Sequence, residues 1–484
     1  MTKYLLPRLR DILFISIFLA VLFFGPRIFN LDGDLGRHIT VGNVIIENLS
    51  IPTQDIFSHT MNGEPLTPHE WLAQIFFAFA HGFNSLSGVV FFTALIIAIV
   101  FLIVYYDSKE RSGSYLLSFL IAIFAAISSS LHWLARPHIF TFLYLAIWTY
   151  YLEKYRRGEK VALWKFALVM IFWVNTHGAF ITAFVTWGAY FVGALVSGYI
   201  KTGRVGEKLK NWGSIGLVSF FISFINPVGV YLWRTNFDFL KSSYLVGHTQ
   251  EYLPPNFHNP SALPFLILIA LSLFLLSQKK TEMPLSHGFL LAGWTIMGLY
   301  SARNIPLYAI IIAPILSEVM TKNIKKTSWA KLERRIKKIE RKLKGGFLPV
   351  LILSIALLLA SNPMVQSYNR FSPEVFPVDA ANWLDENEQE GKVFNHFPWG
   401  GYLLYRNFPS TLVFIDGQTD FYGEELTREY EQVITLADGW ERVLERYEVD
   451  WVIIPSSSLL AGALKQDSWT ELYEDKVTVI LRRE

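Results

Sequence analysis

Two carboxylates, Asp32 and Asp34, stand in the run Asn30-Leu-Asp32-Gly-Asp34-Leu-Gly-Arg37-His38, directly after the first long apolar segment. A carboxylate placed just outside a bilayer can take the proton from an acceptor hydroxyl as that hydroxyl attacks a lipid-borne substrate. Asp34 also opens a segment, 35–49, whose apolar residues recur at helical spacing, so it caps that helix, serves as a base, or does both. His38, one turn on, shares its face and either orients an acceptor or lies on the surface. Asp55 follows in an extended stretch, and an Asn62-Gly63 turn leads to Thr67-Pro68-His69-Glu70-Trp71. Thr67 and Glu70 have capping-box spacing with Pro68 at the first helical position, so Glu70 is either a cap or a ligand. A metal site built from Asp34, His69 and Glu70 is the weaker reading of the same residues, and it leaves room for a divalent cation, Mg²⁺ or Mn²⁺.

Further along, Arg136 in Ala135-Arg-Pro-His138 and Arg303 in Ser301-Ala-Arg-Asn-Ile-Pro306 each fall between apolar runs. Arginine at that depth is paired or functional, and its fork suits a phosphate whose charge grows as a sugar departs. The alternatives are snorkelling to the headgroups or an ion pair with aspartate. His138, His177 in Asn175-Thr-His-Gly178, and Glu251 in Glu-Tyr252-Leu-Pro-Pro255 are polar residues of the same kind, able to bind substrate or to shape loops.

These residues need a membrane to stand against. Of 484 residues 52% are hydrophobic and only 17% charged, a balance too apolar for a soluble enzyme of this length. Apolar runs near 11–29, 87–106, 114–133, 138–152, 162–175, 178–200, 213–232, 262–278, 285–301, 303–320 and 347–361 predict about eleven spans. Lys and Arg test that count: 27 fall on one side of the predicted membrane unit and six on the other, with eleven of the 27 in 322–344 alone. Basic residues gather in the cytoplasm, so the N-terminus is predicted inside and, after an odd number of spans, the C-terminus outside. The first segment runs into Gly25-Pro26-Arg27 with no small-residue cleavage site and reads as a retained span. The stretch 322–344 has Trp329, Leu332, Ile336, Ile339 and Leu343 on one helical face, as expected of a helix lying against the inner headgroups or of a topogenic anchor. The chain has no cysteine, so neither disulfides nor thiol-bound metals are available.

The expected fold is therefore a polytopic α-helical membrane protein in two parts: a membrane unit, 1–365, with a large first outer loop at 30–86, and an extracytoplasmic α/β domain, 366–484. From Arg370 onward acidic residues outnumber basic ones by 22 to 10. Runs at 392–395, 411–415 and 450–455 alternate with helical stretches at 378–388, 424–436 and 439–447, which predicts a parallel sheet closed by a hairpin at 469–473 and 477–482. Glycines in Trp399-Gly-Gly-Tyr402 and Asp416-Gly-Gln-Thr-Asp420 permit turns that either bind an acceptor or pack the tail onto the membrane unit.

The Asp-x-Asp of the first loop, Arg136-Pro-His138, Asn175-x-His177-Gly178, Arg303-Asn-x-Pro306 and an outside tail together resemble the bacterial members of the GT-C superfamily, polytopic glycosyltransferases that use lipid-phosphate-linked sugars. The resemblance spans essentially the whole membrane unit and identifies the superfamily better than any branch. It implies an inverting transfer from a polyprenyl-phosphate-linked sugar to a lipid, glycan or protein acceptor at the outer face of the cytoplasmic membrane, with no nucleic-acid partner. It puts the catalytic aspartate on Asp34, with Asp32 second, and the lipid phosphate on Arg303 with Arg136. Where relatives begin the second loop helix with Pro-Pro, this chain has His69-Glu70, and the acceptor class stays open. A transporter or flippase of an anionic or lipid-linked substrate, or a non-catalytic scaffold, are the other classes. A transporter predicts inverted repeats and ionisable groups at mid-membrane depth, and neither is visible in the sequence.

Overall fold

The computed structural model describes residues 2–202, 208–278, 283–324, 328–467 and 469–484; Arg204, Lys279, Lys280, Lys325 and Lys326, five of the basic residues used to orient the chain, lie outside them. Helices dominate. Apolar helices occupy each of the eleven expected runs: Leu9–Phe24, Trp71–Ser112, Tyr115–Ser129, His138–Arg156, Leu163–Val174, Ile181–Thr202, Lys208–Ile222, Leu263–Ser277, Leu285–Tyr300, Ile305–Ile324 and Phe347–Ala360. Among the described residues, five helical segments are long and apolar enough to cross a membrane alone, and a sixth qualifies if Ser328–Lys342 and Phe347–Ala360, bent by 70°, count together. Leu163–Val174, at 12 residues, would reach only about 18 Å at ~1.5 Å per residue.

The first loop carries its own helices. Asp34–Asn48 buries Leu35, Ile39, Val41 and Ile45. The 42-residue helix Trp71–Ser112 is broken at Asn84 and Ser85, where Ser85 has φ 51°, so its first part belongs to the loop and its second enters the bundle. The Asn84 carboxamide is held there by the Ser361 hydroxyl at 2.8 Å.

In the tail the strands β1 (Lys392–Asn395), β2 (Val449–Pro455), β3 (Trp469–Glu474) and β4 (Thr478–Arg483) form one sheet in the order β1-β2-β4-β3. The expected parallel sheet is instead mixed: β1 and β2 are parallel, whereas β4 runs antiparallel to both β2 and β3. The run 411–415 is not a strand of this sheet. Its place beside β1 is taken over by the Asn395 side chain, which accepts from Phe414 N at 2.8 Å and donates to Ile415 O at 2.9 Å. The backbone of Val413 pairs with the first loop, donating to Phe57 O at 3.1 Å and accepting from His59 N at 3.0 Å. Its backbone groups are thus spent on the first loop and on the Asn395 side chain instead of on a sheet ladder.

Helices cover both faces of the sheet. Phe394, Val452, Ile454, Val479 and Leu481 pack into the tail's own core, whereas Val393, Trp451, Ile453 and Ile480 belong to the core shared with the membrane helices. The loop helix Asp34–Asn48 lies so close to the tail helix Gly400–Asn407 that a Cβ on Gly36 would meet Gly401 O at 2.3 Å, and one on Gly401 would meet Gly33 O at 2.4 Å. Glycine at both positions lets the two backbones touch and fixes the depth at which the loop sits.

Candidate active site

Neither aspartate behaves as a simple cap. Asp34 is the first residue of its helix and Gly33 is the cap; Asp32 Oδ1 instead accepts from Asp34 N at 3.1 Å, which leaves the Asp34 carboxylate free to point away. It points at Arg136. Asp34 Oδ2 lies 2.6 Å from Arg136 Nη2 and Asp32 Oδ2 lies 2.7 Å from Nη1. Glu251, from the 250–252 turn, also binds Arg136 Nη1 with Oε1 and brings Oε2 to 3.7 Å from Arg303 Nε. A chain of ion pairs thus runs Asp34, Arg136, Glu251, Arg303 across four separate segments.

Arg303 is set by a second layer of contacts. Its Nη1 donates to the Tyr252 hydroxyl at 2.7 Å and its Nη2 to His177 Nε2 at 3.1 Å, while His177 Nδ1 bonds Thr141 Oγ1 at 2.9 Å. The turns that carry these groups are tied by Ala302 N to Leu253 O at 2.9 Å. One N–H on each Nη of Arg303 remains for an anion, and the side chain is 27% exposed.

Glu70 stands among histidines. Its oxygens lie 3.8 Å from His38 Nδ1, 3.8 Å from His69 Nε2 and 3.9 Å from His177 Nε2. The expected capping box does not form: the helix starts at Trp71, Glu70 makes no cap bond, and Thr67 Oγ1 pairs with Thr235 at 3.1 Å. His69 Nδ1 reaches Asp420 of the tail at 3.5 Å. His38 is buried, and both of its ring nitrogens lack a hydrogen-bond partner.

The tail closes the site from the other side. Arg37, inside the first-loop motif, grips the side chains of Asp416 and Gln418. Between those two, Gly417 lies against Asp34, where a Cβ would stand 1.7 Å from Oδ1. A side chain there would push the Asp34 carboxylate aside.

Electrostatics separate the groups. Burial and repulsion from Asp32 push the Asp34 carboxyl up to about 7, against the pull of Arg136. Burial would raise Glu251 as well, yet Arg136 and Arg303 hold it down at about 2. Burial raises Glu70. For His69 burial is outweighed by Asp420 and Glu70, which raise it, whereas burial, Arg136 and Arg37 drive His38 well below the usual imidazole range. A carboxyl poised near neutrality between two guanidinium-bound neighbours can accept a proton at physiological pH.

Three expected ligands have other work. Asp55 is fully buried and accepts from Ser58 N at 3.0 Å, Ser58 Oγ at 2.6 Å and Phe57 N at 3.3 Å, so it folds its own turn. His138 Nε2 bonds His132 O at 2.8 Å and supports the loop that presents Arg136. Arg136 itself is spent on carboxylates rather than left open for phosphate. Asp34, His69 and Glu70 do not converge as metal ligands. Among the described residues, one group has ligand spacing: Glu153, His287 and Glu318, whose atoms lie within 4.8 Å of one another and could hold a cation. It sits at the other end of the bundle, and Glu153 is already paired with Arg111 at 3.5 Å and Arg156 at 2.6 Å. Sequence reading missed Arg37, Tyr252 and Thr141 as partners, because their signal is contact between segments far apart along the chain.

A helical bundle, a helix-bearing first loop and a tail docked on that loop together give a fold similar to those of solved oligosaccharyltransferases. The particular likeness is to the oligosaccharyltransferase AglB of Archaeoglobus fulgidus. Bound to an inhibitory peptide and a dolichol-phosphate, that enzyme matches with a TM-score of 0.62 at 12% identity, over 92% of this chain and 69% of the archaeal one. Its apo form matches with a TM-score of 0.59 at 12% identity, over 92% and 68%. The form tethered to an acceptor peptide containing the NVT sequon gives 0.56 at 13%, over 88% and 65%. No family model and no curated protein matches the sequence.

Proposed function

We propose that this protein is an inverting membrane glycosyltransferase that moves a sugar from a polyprenyl-phosphate-linked donor to an acceptor at the outer face of the cytoplasmic membrane. The observation that supports it most is the continuous ion-pair chain from Asp34 to Arg303 on a GT-C fold. In this reading Asp34 accepts the acceptor's proton as the acceptor atom attacks the anomeric carbon. The bond from that carbon to the phosphate oxygen breaks on the opposite side, and the lipid phosphate keeps the electron pair. Arg303, held by Tyr252 and His177, meets the charge that builds on the phosphate. Residues 1–365 are the membrane unit, N-terminus inside, and 366–484 an extracytoplasmic domain that seals the loop and carries Asp420 to the acceptor side. The 27-to-six bias of basic residues supports that orientation. The dolichol-phosphate and the acceptor peptide of the archaeal neighbours support a lipid-linked donor and a separate acceptor.

The test is transfer from lipid-linked sugars by the purified protein. Asp34→Asn is expected to lower turnover by roughly 10²–10⁴, the range for a general base, while donor binding persists, and full turnover in that variant would remove Asp34 from the mechanism.

A further inference from the structure

Three carboxylates from two distant segments put oxygens on a single point. Asp32 and Asp34 come from the first loop and Glu251 from the turn at 250–252, and the point is the Arg136 guanidinium. Like charges brought together this way repel one another unless a cation stands between them, and a convergent set of hard oxygens is the donor set that Mg²⁺ and Mn²⁺ prefer. We propose that Arg136 is the resident cation of this site, occupying the position among Asp32, Asp34 and Glu251 that a divalent metal would otherwise take, so that the enzyme works without one. The inference rests on the transferase reading above.

The geometry carries it in three ways. First, the oxygens are organised around the guanidinium and not around a sphere. Metal–oxygen distances of about 2.1 Å would draw three ligands into close mutual contact, whereas among the described residues these three carboxylates do not form a group of ligand spacing, and Glu153, His287 and Glu318 do. Second, the cation is built in. Ala135 N donates to Ile28 O at 2.8 Å, which fastens the Arg136 loop to the base of the first loop, and His138 secures it from behind through His132 O at 2.8 Å. A guanidinium keeps its charge at every working pH and offers a planar fork that two carboxylates can share. Third, the charge is smaller. Arg136 and Arg303 supply two positive charges against the three carboxylates, so one negative charge among them stays unmatched. Arg136 is in this sense a positioning residue: it sets the direction and the basicity of Asp34 without touching the reacting atoms.

The experiment uses Mn²⁺ alone as probe, followed by electron paramagnetic resonance on the full-length protein in detergent after EDTA washing. The wild type is expected to take up no Mn²⁺ that depends on Asp34, and Arg136→Ala, with the same carboxylates now unpaired, is expected to bind one ion that the further change Asp34→Asn removes. Arg136→Gln is the second variant, keeping bulk if alanine proves too destabilising, and a thermal melt confirms that the variant compared is folded. Mn²⁺ uptake by the wild type that Asp34→Asn abolishes overturns the proposal, as does a folded Arg136 variant that binds none. With any donor the protein accepts, EDTA is expected to leave wild-type turnover unchanged, and Mn²⁺ is expected to restore part of the turnover that Arg136→Ala loses. Because the uptake measurement needs no transfer reaction, failure of the glycosyltransferase reading would leave it interpretable.

Discussion

The two ends of the helical bundle each hold a charge cluster built from the same residue types, and they are put together differently. At the end that the basic-residue bias places inside, Arg111 clamps Asp107 with Nε at 2.7 Å and Nη2 at 2.5 Å, and Glu153 receives Arg156 at 2.6 Å, His287 at 3.0 Å and the Tyr190 hydroxyl at 3.2 Å. Arg111, Asp107 and Glu153 are at most 3% exposed. At the other end Asp32, Asp34, Arg136, Glu251 and Arg303 have side chains 13% to 27% exposed and join four segments. The inner cluster is closed and is expected to act as glue, because its arginine and carboxylates are sealed from solvent and paired with one another. The outer cluster is open, carries an excess negative charge, and has a carboxyl held near neutrality. Similar charges thus serve stability where they are sealed and chemistry where they are left accessible.

The sharpest way to break that comparison is substitution on each side. Asp34→Asn is expected to lower kcat by roughly 10²–10⁴, the range for a general base, with an unchanged melting profile. Arg303→Ala is expected to cost about 10²–10³ in kcat, as for loss of one charge-stabilising donor, again with the fold intact. Arg111→Ala should do the reverse, destabilising the bundle by about 3–5 kcal/mol in a denaturation assay, since it strands buried carboxylates. If Arg111→Ala instead melted like wild type, the inner cluster would not be structural.

Smaller effects sharpen the picture. Gly417→Ala is expected to cost at least roughly tenfold in turnover through displacement of Asp34, given how a small misplacement near the chemistry is felt. A variant as active as wild type would mean the tail does not seat the base. The smallest change is one of pH. Asp34 must be ionised to act, so kcat is expected to rise as pH rises through about 7. Asp32→Asn removes a repulsion that raises Asp34, so the acid limb of the profile should move to lower pH, and a limb that stays in place would point to another titrating group.

Most of the helical architecture was legible in the order of residues, because a membrane imposes a length and a composition that a sequence must show. The eleven apolar runs coincide with eleven helices, yet among the described residues only five helical segments reach spanning length alone, since others, such as the 16-residue Leu9–Phe24 and the 12-residue Leu163–Val174, end short of it. Three of the tail's helices, Val378–Glu386, Thr419–Ile434 and Trp440–Arg446, were readable from periodicity, whereas Gly400–Asn407 and Leu459–Gln466 were not. The tail's four strands were readable too, but the fate of run 411–415 was not, because it has strand-like residues and only the Asn395 side chain and the first loop show that its backbone is already engaged.

Asp34 and Arg303 could be picked out as chemical groups from residue type and their position next to apolar runs, since a charge kept at such a place is costly unless it is used. What they are joined to could not. Arg136 looked like a phosphate ligand and is instead bound by three carboxylates; Asp55 looked available and is consumed by its own turn; Arg37 looked like part of a motif and is the clamp on the tail. By itself the sequence determined which residues carry charge and which segments must be helical, because those follow from local chemistry. Only the tertiary structure decided which charges neutralise one another and which are left to react, because a partner, a buried environment and a raised carboxyl are properties of distances between segments that the chain order does not contain.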